Sequence, residues 1–297
     1  MGTDEFGNTD FYPRLKGGFQ FALTGNPNES NFFRPDEKME QHDGGWRWTD
    51  TQQVRASIVQ DSKFDTMDAD FDHAQAEKDG YGWKKETDFR DVEAKMWVKI
   101  EGGGDHDMTL QTITGRHSGE PNCSGIAYGF SWEYTADPVR GRFHKEQFHS
   151  EYAHDPYFTF TNILNDKMAD IGRYLGIGVV RFNQQDPDGK TFVVVESWMN
   201  PDPAADPQNW KKIARRRDTG NWGTHGNTCN GKKDQILTWA MPIGLRIKIQ
   251  DTSADVTIKN LSFAEIDPLA TPTQAPNPTP ETISAFVELF NKRHINF

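Results

Sequence analysis

From residue 88 to residue 267 the chain repeats one pattern. Short stretches of period two are broken by turn residues, and a single short helical stretch falls among them. Val92, Ala94, Met96, Val98 and Ile100 alternate with Glu93, Lys95, Trp97 and Lys99, which makes an extended strand apolar on one side and polar on the other. Further strands are expected at Met108 to Thr114, 125–134, 139–149, Gly176 to Asn183, Lys190 to Met199, Ile236 to Ile249 and Val256 to Ile266. Gln184-Gln-Asp-Pro-Asp-Gly189 supplies a hairpin turn, and Pro242 predicts an edge, a bulge or a break. One short helix is expected at Asn165 to Ile171. Parallel strands need long crossovers, usually helical. Many strands without regularly interleaved helices therefore predict an all-β, antiparallel sandwich or barrel.

Before residue 88 the chain is rich in Gly, Asn and Asp. Phe19 to Leu23, Phe32-Phe33, Trp46 to Trp48 and Val54 to Val59 read as short strands between long loops. Residues 1–14 are expected to be flexible, with the sandwich over 15–267 and best supported over 88–267. Residues 268–280 form a Pro/Thr linker, extended and semi-rigid. In 281–297, Ile283, Phe286, Val287 and Phe290 fall at helical spacing after Thr279-Pro280-Glu281, predicting an amphipathic helix. That helix is expected to dock on its own domain or on a second copy of the chain.

Charge and aromatics narrow the function. Lys and Arg number 33 against 44 Asp and Glu, a net charge of −11. Such a balance argues against a general nucleic-acid binder. Aromatics at 12% argue for a folded chain. No apolar run approaches the roughly 20 residues of a membrane-spanning helix. Cys123 and Cys229 lie in loop-like settings without zinc-finger spacing. They either remain thiols or form one disulfide, and a disulfide implies an oxidising compartment. Met1 to Phe6 shows neither a basic n-region nor an apolar h-region.

Three segments carry a resemblance: Cys123-Ser-Gly-Ile-Ala-Tyr128, Arg140-Gly-Arg-Phe-His-Lys-Glu-Gln-Phe-His149, and Trp222-Gly with Cys229-Asn-Gly-Lys-Lys-Asp-Gln-Ile-Leu-Thr-Trp-Ala-Met-Pro-Ile243. With Val256 to Ile266 they resemble a group of extracellular microbial β-sandwich proteins, over roughly residues 88–267. The pattern is more distantly similar to concanavalin-A-like jelly rolls, which include lectins, laminarinase-type hydrolases and polysaccharide lyases of the alginate and glucuronan type. The resemblance implies a jelly-roll sandwich, an extracellular or cell-surface setting, carbohydrate handling and recurrence of both cysteine positions.

The site residues follow from the chemistry each reaction needs. Hydrolases of this fold carry Glu-x-Asp-x-x-Glu or a close variant, which is absent, and Glu146 and Glu196 are the carboxylates inside strands of the right kind. A lyase must neutralise a uronate carboxylate, remove a proton beside it and protonate the leaving oxygen. Gln147-Phe148-His149 matches the Gln-x-His of alginate-lyase-type jelly rolls. That match implies Gln147 with Arg142 or Arg116 as neutralisers, and His149 and Tyr152 as acid and base. Period two puts Lys145, Gln147 and His149 on one face, with Lys145 a candidate for substrate binding and Arg142 on the opposite face. Trp97 and Trp198 are candidates for stacking on sugar rings.

Asp65, Asp68, Asp70 and Asp72, and separately Asn200, Asp202 and Asp206, offer hard oxygen ligands for a structural Ca²⁺. No organic cofactor is expected. Gly102-Gly-Gly104 opens no helix, and Gly-x-Ser-x-Gly is absent. Lys211-Lys-Ile-Ala-Arg215-Arg-Arg217 is either a solvated edge strand or a lure for a polyanion. The sequence thus points to a carbohydrate-interacting protein, with a lyase as the most concrete enzyme. A non-catalytic structural or adhesive protein, assembling through 281–297, is the alternative.

Overall fold

A computed structural model describes residues 2–60, 88–102, 107–114, 126–147, 152–222, 236–238 and 243–270. The described part is an antiparallel β-sandwich, as the alternation predicts. Its strands are β1 (Gln20–Ala22), β2 (Phe33–Pro35), β3 (Glu40–His42), β4 (Gly45–Val59), β5 (Val92–Gly102), β6 (Asp107–Thr114) and β7 (Ile126–Glu133), followed by β8 (Arg140–Gln147), β9 (Tyr152–His154), β10 (Phe158–Thr159), β11 (Leu175–Gln185), β12 (Thr191–Asn200), β13 (Lys211–Asp218) and β14 (Ile243–Glu265).

Two long strands belong to both layers. The first half of β14 pairs with β6 on one side and with residues 54–59 of β4 on the other. Its second half pairs with β5 and with residues 46–48 of β4. Register breaks between Gln250 and Val256 mark the change of layer. The first layer runs β2, β4, β14, β6, β7, β8, with β9 and β10 along the far side of β8. The second runs β14, β5, β11, β12, β13. Two pairs of strands expected to be separate, Trp46–Trp48 with Val54–Val59 and Ile236–Ile249 with Val256–Ile266, therefore fall on single bent strands, the second of which starts at Ile243, with residues 236–238 outside it. The hairpin turn forms as predicted: Gly189 N–H donates to the Asp186 carbonyl at 2.9 Å, and Gly189 takes the positive φ of 78° that suits glycine. The expected helix at Asn165 to Ile171 is one turn of 3₁₀ helix, Met168–Asp170. Pro242, the terminal helix 281–297 and most of the linker lie outside the described residues.

Between the layers Val179, Val193 and Val195 of the second sheet meet Leu110, Phe130, Trp132 and Ile247 of the first. The interior also holds charge. Lys145 is wholly buried and reaches Asp218 at 2.8 Å, and the Tyr128 hydroxyl donates to the same carboxylate at 2.5 Å. Burial and the adjacent Asp218 carboxylate push the Tyr128 hydroxyl well above its ordinary range. Arg181, fully buried, donates to the Arg90 and Leu237 carbonyls.

Residues 2–14, expected to be flexible, lie instead across the outer face of the second sheet. Asp4, Asn8, Asp10 and Phe11 are buried there. The Glu93 carboxylate accepts from the Phe11 and Tyr12 amides at 3.1 and 3.0 Å, and the Lys95 ammonium bridges Glu93 and Asp10 at 3.0 and 3.1 Å. Burial raises the Glu93 pKa, opposed by the Lys95 charge. The Phe11 ring stacks on Trp198 at 4.3 Å and meets the Trp210 edge at 5.3 Å. Gly178 makes room for it, because a Cβ there would stand 2.9 Å from the ring. Phe11→Ala should lower stability by about 3 kcal/mol, read from the urea midpoint. A loss below about 1 kcal/mol would be the cost of a surface change, and would show that this arm does not hold the sheet.

Candidate functional site

The outer face of the first sheet carries two polar rows, fixed by the strand register. Ser57, Arg246, Gln111, Gly129, His144 and His154 stand side by side across β4, β14, β6, β7, β8 and β9. Arg55, Lys248, Thr109, Ser131 and Arg142 form the neighbouring row. Period two aims all of them away from the apolar interior. Between the rows a cleft of about 250 Å³ is lined by Asp107, Thr109, Gln111, Ser131, Arg142, His144, His154 and Lys248.

Hydrogen bonds pre-set its floor. Thr109 and Ser131 hydroxyls are 2.8 Å apart, and Ser131 Oγ lies 3.5 Å from His144 Nδ1. Gln111 Nε2 lies 3.4 Å from both His144 Nε2 and a Glu146 carboxylate oxygen. Gln111 Oε1 and Arg142 Nε are buried without a hydrogen-bond partner among the described residues. Buried polar atoms are ordinarily paired, so these two can each take a polar group of a bound molecule.

Electrostatics separate the titratable groups. Lys248 is 5% exposed, and burial brings its pKa down to about 8, helped by the charges of Arg55 and Arg246 and opposed by Glu146. His144 is held neutral: burial, then the nearby His154, lowers its pKa to about 3. Arg142 lies 3.8 Å from Asp107 and over the Tyr157 ring at 4.3 Å. The cleft is thus cationic on a chain of net charge −11.

Gly129 has a specific task here. A Cβ at this position would come within 2.3 Å of His144 Cε1, so the ring occupies space that only glycine leaves. Gly129→Ala should displace the ring and open the Gln111–His144 contact. We expect the His144 imidazole resonances to move by NMR while the far-ultraviolet circular dichroism stays unchanged. Unmoved resonances would show that the ring does not depend on this gap.

The residues expected from the sequence are distributed differently. Arg142 lines the cleft. Lys145, expected to meet substrate, points into the sandwich and is spent on Asp218. The reason is that the face opposite to the expected one is outward: β8 shows Arg142, His144 and Glu146 there. Trp97 and Trp198, expected to stack on sugar, lie on the second sheet under the arm. Trp97 Nε1 donates to Asn8 at 2.9 Å, and Trp198 is covered by Phe11. Glu146 and Glu196 sit on the outer faces of different sheets, so they do not form a carboxylate pair. Glu196 is instead bound by Lys212 at 2.6 Å and by Trp198 Nε1 at 3.2 Å.

In the loop offered for Ca²⁺, Asn200 Nδ2 donates to the Asp206 carbonyl at 2.7 Å. Asn200 Oδ1 accepts the Asp202 amide at 3.0 Å, and Asp202 Oδ1 the Ala205 amide at 3.2 Å. Those oxygens close the turn. Among the described residues no group of three His, Cys, Asp or Glu side chains is placed to hold a metal ion. Gln147 and Tyr152 are described by backbone alone. Arg116, His149, Asp65, Asp68, Asp70, Asp72, Cys123 and Cys229 lie outside the described residues. Lys248, Gln111 and Gly129 were missed in the sequence. Arg246 and Lys248 do alternate with Leu245, Ile247 and Ile249, which marks an outward face but not its neighbours.

No known protein family and no curated protein sequence matches the chain. The chain is similar to several solved structures over most of its length. A galectin-like protein of unknown function from Bacillus subtilis is 10% identical, with a TM-score of 0.44, covering 86% of this chain and 98% of its own. A carbohydrate-binding module from Bacillus subtilis is 7% identical, with a TM-score of 0.38, covering 78% and 94%. An alginate lyase is 9% identical, with a TM-score of 0.38, covering 84% and 98%.

Proposed function

We propose that the chain binds a uronate-containing polysaccharide in the cleft of the first sheet and cleaves it by β-elimination. The observation that carries this reading is Lys248: an amine with a pKa near 8, buried on the floor of a cationic cleft. Arg142 neutralises the uronate carboxylate, which acidifies the adjacent C–H, and the open Gln111 Oε1 accepts a hydroxyl of the sugar. The Lys248 amine takes that proton, and a double bond forms as the glycosidic oxygen leaves. His154, exposed at the rim, returns a proton to the leaving oxygen. A base with a pKa near the working pH suits this step. His144 stays neutral and holds Gln111 in place rather than titrating.

The test is to incubate the full chain with alginate, polygalacturonate, glucuronan and a neutral glucan, and to follow ultraviolet absorbance of the unsaturated product. Rising absorbance on an acidic polymer alone supports elimination. A flat trace on every polymer, from folded protein, removes it and leaves binding as the role of the cleft.

A further inference from the structure

A second cationic surface lies on the opposite sheet, at its edge. Strand β13 pairs with β12, and its other side has no strand partner among the described residues. A bulge between the partners Ser197 and Trp198 skips Ile213. It brings Lys212 to the face that already carries Arg215 and Arg217. Arg215 and Arg217 are about half exposed. With Gln184, Gln185, Asp186 and Phe192 they line a groove of about 420 Å³. The Arg217 guanidinium lies 3.6 Å from the centre of the Phe192 ring, which holds its fork in place. Arg215 reaches Gln184 at 3.4 Å. Asp186 and Glu196 offset only part of the charge, at 3.9 Å from Arg217 and 3.6 Å from Arg215.

Cations on an exposed edge discourage strand pairing, but that task does not require them to converge over a groove. We infer that this groove holds a carboxylated polysaccharide chain, away from the cleft and without cleaving it. Guanidinium forks match carboxylates bidentately. Single-stranded nucleic acid would need open aromatic rings on which to stack bases, and Phe192 is 5% exposed beneath Arg217. The choice of a uronate polymer rests on the reading of the cleft, whereas the anion site stands on the groove alone.

The test uses the full chain carrying Lys248→Met, which leaves the polymer uncut, and polygalacturonate, with affinity measured by calorimetry at two salt concentrations. Arg215→Gln/Arg217→Gln should weaken binding about fivefold and reduce its salt dependence. The same loss should appear in the Lys248→Met/Arg142→Gln background, which separates this site from the cleft. Arg215→Lys/Arg217→Lys should recover most of the affinity, showing that charge and not folding was lost. Unchanged affinity in the Gln pair overturns the proposal. Tighter binding of a 20-nucleotide single-stranded DNA, lost in the same pair, overturns it too.

Discussion

Lys248→Met should abolish elimination and stabilise the protein at once. Loss of a general base costs on the order of a thousandfold in turnover. The stability gain comes from holding an ammonium at 5% exposure beside Arg55 and Arg246, a cost that the Glu146 and Asp107 carboxylates offset only in part. The folded pKa of about 8 lies below the ordinary 10.5. Below pH 8 both folded and unfolded chains carry the proton, and the folded state bears the whole cost, about 3 kcal/mol. Between pH 8 and 10.5 the unfolded chain binds more protons, so stability rises with pH. Above that window the cost is gone. Replacement by Met should therefore raise the urea midpoint at pH 7 and leave it nearly unchanged at pH 11. For the wild type, kcat/KM should follow a bell-shaped pH profile, because Lys248 must have lost its proton while His154 still holds one. A variant that is destabilised at pH 7, or that still releases unsaturated product, would contradict the assignment.

The second large effect is expected in acid. His144 has a folded pKa of about 3 against an ordinary 6.5. As the pH falls below 6.5 the unfolded chain takes up a proton that the folded chain refuses, so stability is lost progressively down to pH 3. The full loss is about 5 kcal/mol. His144→Gln keeps a polar side chain over Gly129 and removes the proton uptake. The variant and the wild type should then differ little at pH 7, while the wild type falls faster towards pH 4. Parallel curves would show that the ring is not held neutral by burial.

How much of this was legible depended on range. The alternation at Val92 to Ile100 and the turn at Asp186 to Gly189 are local, and both formed as read. Phe11 gave no warning in a segment rich in Gly, Asn and Asp, because its partner Trp198 is distant in sequence. The docking site also depends on Gly176 and Gly178 leaving a flat floor. The face of β8 was misassigned for a different reason. Arg142, His144 and Glu146 alternate with Phe143 and Lys145, so both faces carry charge, and polarity alone could not show that Lys145 turns inward to Asp218. The cleft itself required register: Gln111, His144 and Lys248 come from three strands. Only the pairings Arg246–Gln111, Gln111–Gly129 and Gly129–His144 place them together.

The bent strand β14 has a consequence for how this chain can change. It supplies Lys248 to the cleft and Ser262, whose hydroxyl donates to Asp4 at 2.6 Å, to the seat of the arm. Adding or removing one residue at Lys248 or at Ser262 would turn one of these side chains to the wrong side of its layer. The break at 250–254 lies between them and already absorbs a mismatch in pairing. Length variation is therefore expected to be tolerated at that corner and penalised elsewhere along the strand. The two faces can diverge in sequence independently, provided the corner takes up the difference.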